Sequence, residues 1–265
     1  MLRYSMLLLV LIAPDSQLQE EPPSPFRLRV LTYNIHHGEG VDGKLDLERI
    51  ASVIRSVEPD LVALQEVDCK VRRTNSVDQP AELARLTKMH VAFGNNIELQ
   101  GGQYGNAILS RFPIRRRKNH SLPRFDSGEQ RGLLEVEIEL PDKRPSLLFL
   151  ATHLDHSQVD RERIESARII NELVANNAER PALLAGDIND VPDSTTLDEL
   201  GKQWTRANEK LAPTIPVKRP TRQIDDVLSR PSRRWTVAET KVLDEAVASD
   251  HRAMLAIIEL VRGGR

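Results

Sequence analysis

Short apolar runs and helical stripes alternate along the chain from Leu28 onward. Leu28 to Asn34 (LRVLTYN) reads as a strand, and Leu47, Ile50, Ile54 and Val57 then recur at helical spacing behind Asp46, a residue suited to cap a helix. That helix ends near Pro59. Leu61 to Leu64 is a short apolar run that implies a buried strand, delivering Gln65 and Glu66 at its C-terminal end. Pro80 to Met89 reads as a second helix, with Pro80 in its first turn and Leu83 and Leu86 turned inward. Strands are expected at Val91 to Asn95 and at Ala107 to Ser110. Leu133 to Leu140 (LLEVEIEL) alternates apolar and acidic positions, so it predicts a half-buried strand with Glu135, Glu137 and Glu139 in solvent. Ser146 to Thr152 is more apolar and fits a central strand. Ser157 to Ala178 reads as a long amphipathic helix with Ile164, Ala167, Ile170 and Val174 on one stripe. Ala182 to Ala185 predicts another buried strand, and further strands are expected at Ile224 to Leu228, Trp235 to Ala238 and Ala253 to Leu260. A proline-containing loop, Pro213 to Pro220, precedes these last strands. Many strands with few helices between them imply two packed sheets with helices outside.

Composition narrows this picture. The 265 residues are 40% hydrophobic, enough for one large core, and no internal repeat divides them. One domain is therefore expected over residues 26–262, preceded by a distinct segment over residues 1–25. In that segment Arg3 precedes an apolar run from Met6 to Ala13 and a polar, proline-rich stretch from Pro14 to Pro25. The run is too short to span a bilayer and resembles a secretory signal, so a secreted, periplasmic or cell-envelope location is expected. A disordered tail and an uncleaved anchor are the alternatives.

Lys and Arg number 37 against 39 Asp and Glu, so the molecule as a whole has no field to steer it toward nucleic acid or an anionic membrane. Basic residues nevertheless cluster in two stretches, one holding Arg111, Arg115, Arg116, Arg117, Lys118 and Arg124, the other running from Lys218 to Arg234. These read as a solvated rim of loops, with a phosphate-facing rim as the alternative. Cys69 is the single cysteine, which excludes an intrachain disulfide and a thiolate metal cluster, and it reads as a packed thiol.

Polar or ionisable residues recur at the ends of the apolar strands: Asn34, Glu66, His153, Asp187 with Asn189, and Asp250 with His251. A carboxylate beside a core loses hydration that only a cation or hydrogen-bond donors can replace. Singly, each has an ordinary reading as a turn residue, a surface acid or a cap. Their joint placement points to convergence on one ligand, and oxygen donors without sulfur suit Mg²⁺ or Mn²⁺ better than zinc.

Seven short motifs then carry a resemblance. LTYNI (from Leu31), LVALQEV (from Leu61), YGNAILSR (from Tyr104), ATHLD (from Ala151), GDIND (from Gly186), QIDDVL (from Gln223) and SDHRAM (from Ser249) occur in the order found in the endonuclease/exonuclease/phosphatase superfamily. That superfamily includes pancreatic-type deoxyribonucleases, abasic-site endonucleases, neutral sphingomyelinases and inositol-polyphosphate 5-phosphatases. The resemblance implies an α/β fold, a four-layer α/β/β/α sandwich of two packed, mostly antiparallel sheets with outer helices. It also implies a monomeric, Mg²⁺- or Mn²⁺-dependent hydrolase of a phosphate ester, with nucleic acid and membrane lipid both within the substrate range.

Carried over by motif, Glu66 becomes the main metal ligand with Asn34 beside it, and Asp250 completes the metal or phosphate environment. Asp187 orients or deprotonates the attacking water, Asn189 positions water or phosphate, and His251 contacts the scissile phosphate while Asp225 orients it. His153 corresponds to a second histidine of the deoxyribonuclease and sphingomyelinase branches. Arg131 resembles their phosphate-contacting arginine, and Tyr104 and Asn106 belong to a motif that faces the cleft. Two departures stand out. Asp226 follows Asp225 where many relatives carry an aromatic or histidine, and His36 and His37 stand where abasic-site enzymes have an acidic metal-site residue. These histidines read as loop residues or as lining of the cleft. The competing class is a catalytically silent binding protein that keeps the fold, but such a protein is expected to lose the glutamate, the GDxN pair or the DH pair, and this chain has all of them.

Overall fold

Two parallel strand pairs organise the molecule, and each is closed by a helix. The computed structural model describes residues 25–125, 128–142 and 144–261. β1 (Phe26–Asn34) pairs in parallel with β2 (Leu61–Cys69) through α1 (Leu47–Ser56). β7 (Leu147–His153) pairs in parallel with β8 (Ala182–Asp187) through α3 (Arg161–Ala175). Parallel neighbours need such a crossover, because a tight turn only reverses a strand. Asp46 caps α1 as expected, its side chain accepting the Arg49 backbone N–H at 2.9 Å.

The remaining elements in chain order are α2 (Gln79–Thr87), β3 (His90–Leu99), β4 (Gly102–Ser110), β5 (Ile114–Ser121), β6 (Gly132–Ile138), α4 (Thr195–Gly201), β9 (Thr205–Arg206), β10 (Asp225–Arg230), β11 (Trp235–Val242) and β12 (Met254–Leu260). The strands form two six-stranded sheets, ordered β11-β12-β1-β2-β4-β3 and β5-β6-β7-β8-β10-β9. Every pairing other than the two parallel ones is antiparallel.

Three apolar clusters separate four layers. Leu28, Val30, Ala63, Ile108, Val136 and Phe149 belong to the cluster between the sheets. Leu31, Tyr33, Ile50, Ile54, Val62 and Leu83 pack α1 and α2 on one outer face, and Leu150, Ala167, Ile170, Leu184 and Leu200 pack α3 and α4 on the other. The alternation of β1 is visible in this division: Leu28 and Val30 face the other sheet while Leu31 and Tyr33 face the helices. The expected α/β/β/α sandwich is therefore the observed fold.

The structure departs from the sequence reading in several elements. The first basic cluster lies only partly in loops: Arg111 and Arg124 do, but Arg115, Arg116, Arg117 and Lys118 sit on the edge strand β5, with Arg116 opposite Glu137 and Lys118 opposite Glu135. Opposite charges across strands stabilise the pair, and basic side chains blunt an open edge. Glu135, Glu137 and Glu139 are accordingly only half-exposed: Glu137 and Glu139 are ion-paired to Arg180 and Arg115, and Glu135 Oε2 lies 2.9 Å from His120 Nε2. In the second cluster Arg230 is buried, donating to the Val174 carbonyl and lying over the Trp204 ring.

α3 is shorter than expected, and its buried stripe includes Arg163 and Ser166 where Ile164 is only half-buried. Arg163 turns inward because Asp190 Oδ2 and the carbonyls of Asp155 and Ser157 accept its guanidinium protons. α4 and β9 are short elements that the apolar pattern does not signal. The signal-like segment lies, apart from Pro25, outside the described residues.

Candidate active site

The C-terminal ends of both parallel pairs meet at one edge of the sandwich. β1 ends at Asn34, β7 at His153 and β8 at Asp187, with His153 and Asp187 in register. β10 starts there in the opposite sense, placing Asp225 opposite Asp187, and His251 lies in the loop that leads into β12. Even-numbered steps along each strand connect these residues to the inter-sheet core: Thr32 and Val30 precede Asn34, Ala151 precedes His153, and Val227 follows Asp225.

Glu66 breaks that rule. Val62 and Leu64 belong to the helix-facing cluster, so strict alternation would send Glu66 toward α1 and α2. A bulge interrupts the β2–β4 pairing between Leu64 and Val67, and Glu66 takes a left-handed conformation with φ of 58°. The bulge redirects the carboxylate into the cleft. There Asn34 Nδ2 donates to Glu66 Oε1 at 3.0 Å and to Asp187 Oδ2 at 3.2 Å.

A cleft of about 440 Å³ opens at this edge, lined by Glu66, Asp187, Asn189, His153, Arg131 and His251 among others. His251 Nδ1 and Asp225 Oδ2 lie 2.9 Å apart, and the same oxygen accepts the Thr214 hydroxyl at 2.6 Å. His251 Nε2 stands 3.7 Å from Asp187 Oδ2. Burial opposes charge on this imidazole, but Asp225 and then Asp187 outweigh it and raise its pKa to about 10. The Asp187 carboxyl is raised too, chiefly by its complete burial and then by Asp225. His153 is the opposite case. Burial first and Arg131 second push its pKa well below the ordinary histidine value. Arg131 Nη1 approaches His153 Nδ1 at 3.3 Å, and because guanidinium only donates, that nitrogen accepts and the imidazole proton sits on Nε2, 3.5 Å from Asp187 Oδ2. The site thus holds one charged and one neutral imidazole on either side of one carboxylate.

Asn189, with φ of 55°, donates its backbone N–H to Asp187 Oδ1 at 2.9 Å and its side-chain amide to the Leu154 carbonyl at 3.0 Å. Tyr104 lines the cleft and remains a neutral phenol, its pKa raised by burial and by Glu66 and Glu129. Asn106 does not line it. That side chain donates across to the other sheet, to the Gly132 carbonyl at 3.0 Å, and acts as a brace. Asp250 is exposed and outside the lining, its Oδ1 accepting the Ser249 hydroxyl at 3.3 Å.

Arg73, Glu129 and His156 line the cleft without having been singled out in the sequence. Arg73 is held by buried Asp68 through two 2.8 Å contacts, and Glu129 Oε1 and His156 Nδ1 bind Arg131 at 2.6 and 3.1 Å. Arg73 lies in a short 3-10 turn and the other two in loops between motifs, where neither periodicity nor strand ends mark a residue. The nearest signal is the Arg131 motif itself, two residues after Glu129.

The donor set fits a divalent cation at Glu66. Asn34 Oδ1 accepts the His36 backbone N–H at 3.1 Å, and the amide nitrogen faces the two carboxylates. One ring nitrogen each from His36 and His37 and a Glu66 carboxylate oxygen lie within 4.8 Å of one another. Asp187, Asp225 and His251 form a second such group, in which His251 Nδ1 lies 2.9 Å from Asp225 Oδ2.

The chain matches the profile of the Endonuclease/Exonuclease/phosphatase family over residues 31–251. It is 28% identical over 253 residues to the uncharacterized protein YbhP of Escherichia coli, covering 89% of this chain and 97% of that one. It is 27% identical over 196 residues to a 5'-tyrosyl-DNA phosphodiesterase of Caenorhabditis elegans, covering 69% of this chain and 49% of that one. Among solved structures, the endonuclease/exonuclease/phosphatase of Beutenbergia cavernae superimposes with a TM-score of 0.76 at 28% identity, covering 88% of this chain and 72% of that one.

Proposed function

The chain belongs to the Endonuclease/Exonuclease/phosphatase family, whose members are phosphoesterase hydrolases, and from that membership we propose that it cleaves a phosphodiester by in-line attack of water. The observation that carries the reading is the convergence of Asp187, His153, His251 and Arg131 on one cleft beside Glu66. A phosphodiester resists attack because its oxygens are anionic, so catalysis needs charge neutralisation, an aligned nucleophile and a stabilised leaving group. The divalent cation that such enzymes generally use would be held at Glu66, where it would neutralise phosphate charge.

Arg131 and the His251 imidazolium supply further positive charge, and the neutral His153 offers its Nε2 proton to a phosphate oxygen. Asp187, with a raised affinity for protons, accepts the proton of the attacking water, and Asn189 holds its carboxylate in place. No covalent enzyme intermediate is required. Nucleic acid and phospholipid head groups carry the phosphodiester that this reading requires, inositol phosphates carry the related monoester, and the tyrosyl-DNA phosphodiesterase among the relatives supports the diester reading.

The test is a panel of phosphoesters presented to the purified protein with Mg²⁺ or Mn²⁺: plasmid DNA, abasic DNA, sphingomyelin, inositol phosphates and bis-p-nitrophenyl phosphate. Hydrolysis of a diester is expected, and both EDTA and Glu66→Ala should abolish it without unfolding the chain. Full turnover in EDTA, or no turnover of any phosphoester by the folded protein, would overturn the reading.

A further inference from the structure

The geometry points to a transition-metal site formed by His36, His37 and Glu66, one that takes Co²⁺ or Zn²⁺ in preference to Mg²⁺. It deepens the proposed function by naming the metal chemistry at Glu66, and it rests on Glu66 being a metal ligand in that reading.

Three features of the His36–His37 turn support it. The ligand atoms of the three side chains lie within 4.8 Å of one another. Glu39 orients both rings: its backbone carbonyl is 3.0 Å from His36 Nδ1, and its carboxylate Oε2 is 3.6 Å from His37 Nε2. A carbonyl only accepts, so His36 Nδ1 carries the proton, and the carboxylate favours a proton on His37 Nε2. The lone pairs that remain are those of His36 Nε2 and His37 Nδ1. The latter atom is shut away from solvent and has no hydrogen-bond partner among the described residues. Metal-bound histidines are commonly fixed in this manner, with the distal ring nitrogen on a carbonyl or carboxylate.

The backbone is the third feature. His36 and His37 have φ of 46° and 43°, consecutive left-handed conformations that cost non-glycine residues roughly 1 kcal/mol or more apiece. Asn34 Oδ1 on the His36 N–H and Gln79 Nε2 on the His37 carbonyl, at 3.1 and 2.7 Å, hold the turn in that state. The turn brings two rings from adjacent residues together, with centroids 4.4 Å apart and planes inclined at 59°, on the side of Glu66.

Two imidazoles change which cation the site prefers. Mg²⁺ demands oxygen ligands and gives up water reluctantly, whereas imidazole nitrogen suits zinc and its first-row neighbours. The oxygen donors visible at the strand ends lead to Mg²⁺ or Mn²⁺, and the histidine pair shifts the balance toward nitrogen-binding metals.

The experiment is calorimetric titration of the full chain with Co²⁺, Zn²⁺ and Mg²⁺ separately, with the visible spectrum recorded during Co²⁺ addition. The variants are His36→Asn, His37→Asn and the pair together, because asparagine tolerates left-handed φ and keeps the turn. Co²⁺ and Zn²⁺ are expected to bind at least about tenfold more tightly than Mg²⁺, and each variant to lose at least about tenfold in Co²⁺ affinity while Mg²⁺ affinity moves little. If the paired variant does not fold, the single variants carry the test. Equal Co²⁺ and Mg²⁺ affinities in the wild type, or Co²⁺ affinity unchanged in folded variants, would overturn the proposal. The titrations contain no substrate, so a failure of phosphodiester hydrolysis is read in the panel assay and is distinguishable from a failure here.

Discussion

Two adjacent aspartates in QIDDVL have opposite fates. Asp225 shares the inter-sheet face with Val227 and reaches His251, while Asp226 shares the helix-side face with Leu228 and meets Arg206 Nε at 2.9 Å and Gln223 Nε2 at 2.8 Å. Asp225→Asn is therefore expected to lower kcat by about 10²-fold or more, since the His251 imidazolium loses its orienting charge. Asp226→Asn should lower it only mildly, and the reverse ordering in steady-state assays would show the roles exchanged. Asp226 predicts a pH effect of its own. Burial raises its pKa to about 6, with Arg206 offsetting part of the rise, and its Oδ2 has no partner. An unfolded aspartate titrates near ~3.9, so between about pH 4 and 6 the folded state binds more protons, and this group's contribution to stability falls as pH rises through that window. Denaturant unfolding at pH 4 and pH 7 should find wild type losing on the order of 2 kcal/mol relative to Asp226→Asn on going to the higher pH. A difference between the two proteins that is independent of pH would contradict this.

Among the elements, the β7–β8 pair depends on close backbone approach. A Cβ at Gly186 would lie 2.1 Å from the Thr152 carbonyl oxygen, one residue before the His153–Asp187 register pair. Gly186→Ala should thus destabilise the fold by about 1–3 kcal/mol and also reduce turnover, because the strands that carry a histidine and a carboxylate must separate. Thermal unfolding together with kcat tests it, and an unchanged melting temperature would mean that the strands relax freely. The β2 bulge has the same character. One surplus residue at Gln65 and Glu66 moves a carboxylate from the helix side of the sheet to the cleft, and the left-handed φ at Glu66 is part of that local strain.

Across the whole molecule, the site exists only while the two sheets stay in register with each other. Asn106 bridges β4 to β6, and Asn119 of β5 donates to the Asn95 carbonyl of β3 at 2.8 Å and to Asn96 Oδ1 at 3.0 Å. The Asn119 contacts join the edge strands β5 and β3, and Asn106 joins β4 and β6, one strand further in. Asn106→Ala should cost about 1 kcal/mol of stability, since Thr152 Oγ1 still serves the Gly132 carbonyl at 3.2 Å, and should leave KM within about twofold. A raised KM at unchanged melting temperature would instead return Asn106 to the substrate contacts.

Apolar periodicity and the order of seven short motifs determined the sandwich, because alternation along each strand already assigns one face to the other sheet and one to the helices. The strand ends also singled out Asn34, His153 and Asp187 as residues of one edge, whereas the choice of Asp225 over Asp226 came from the family resemblance, because Ile224 and Val227 leave open which face each aspartate takes. What the sequence did not carry is whatever depends on backbone irregularity or on loops. Glu66 reaches the cleft through a bulge, Arg73 enters from a short 3-10 turn, and Glu129 and His156 enter from loops. His36 and His37 come together beside Glu66 through two consecutive left-handed residues. Periodicity describes regular dihedrals, whereas these placements arise from irregular ones whose strain only the surrounding tertiary contacts can hold.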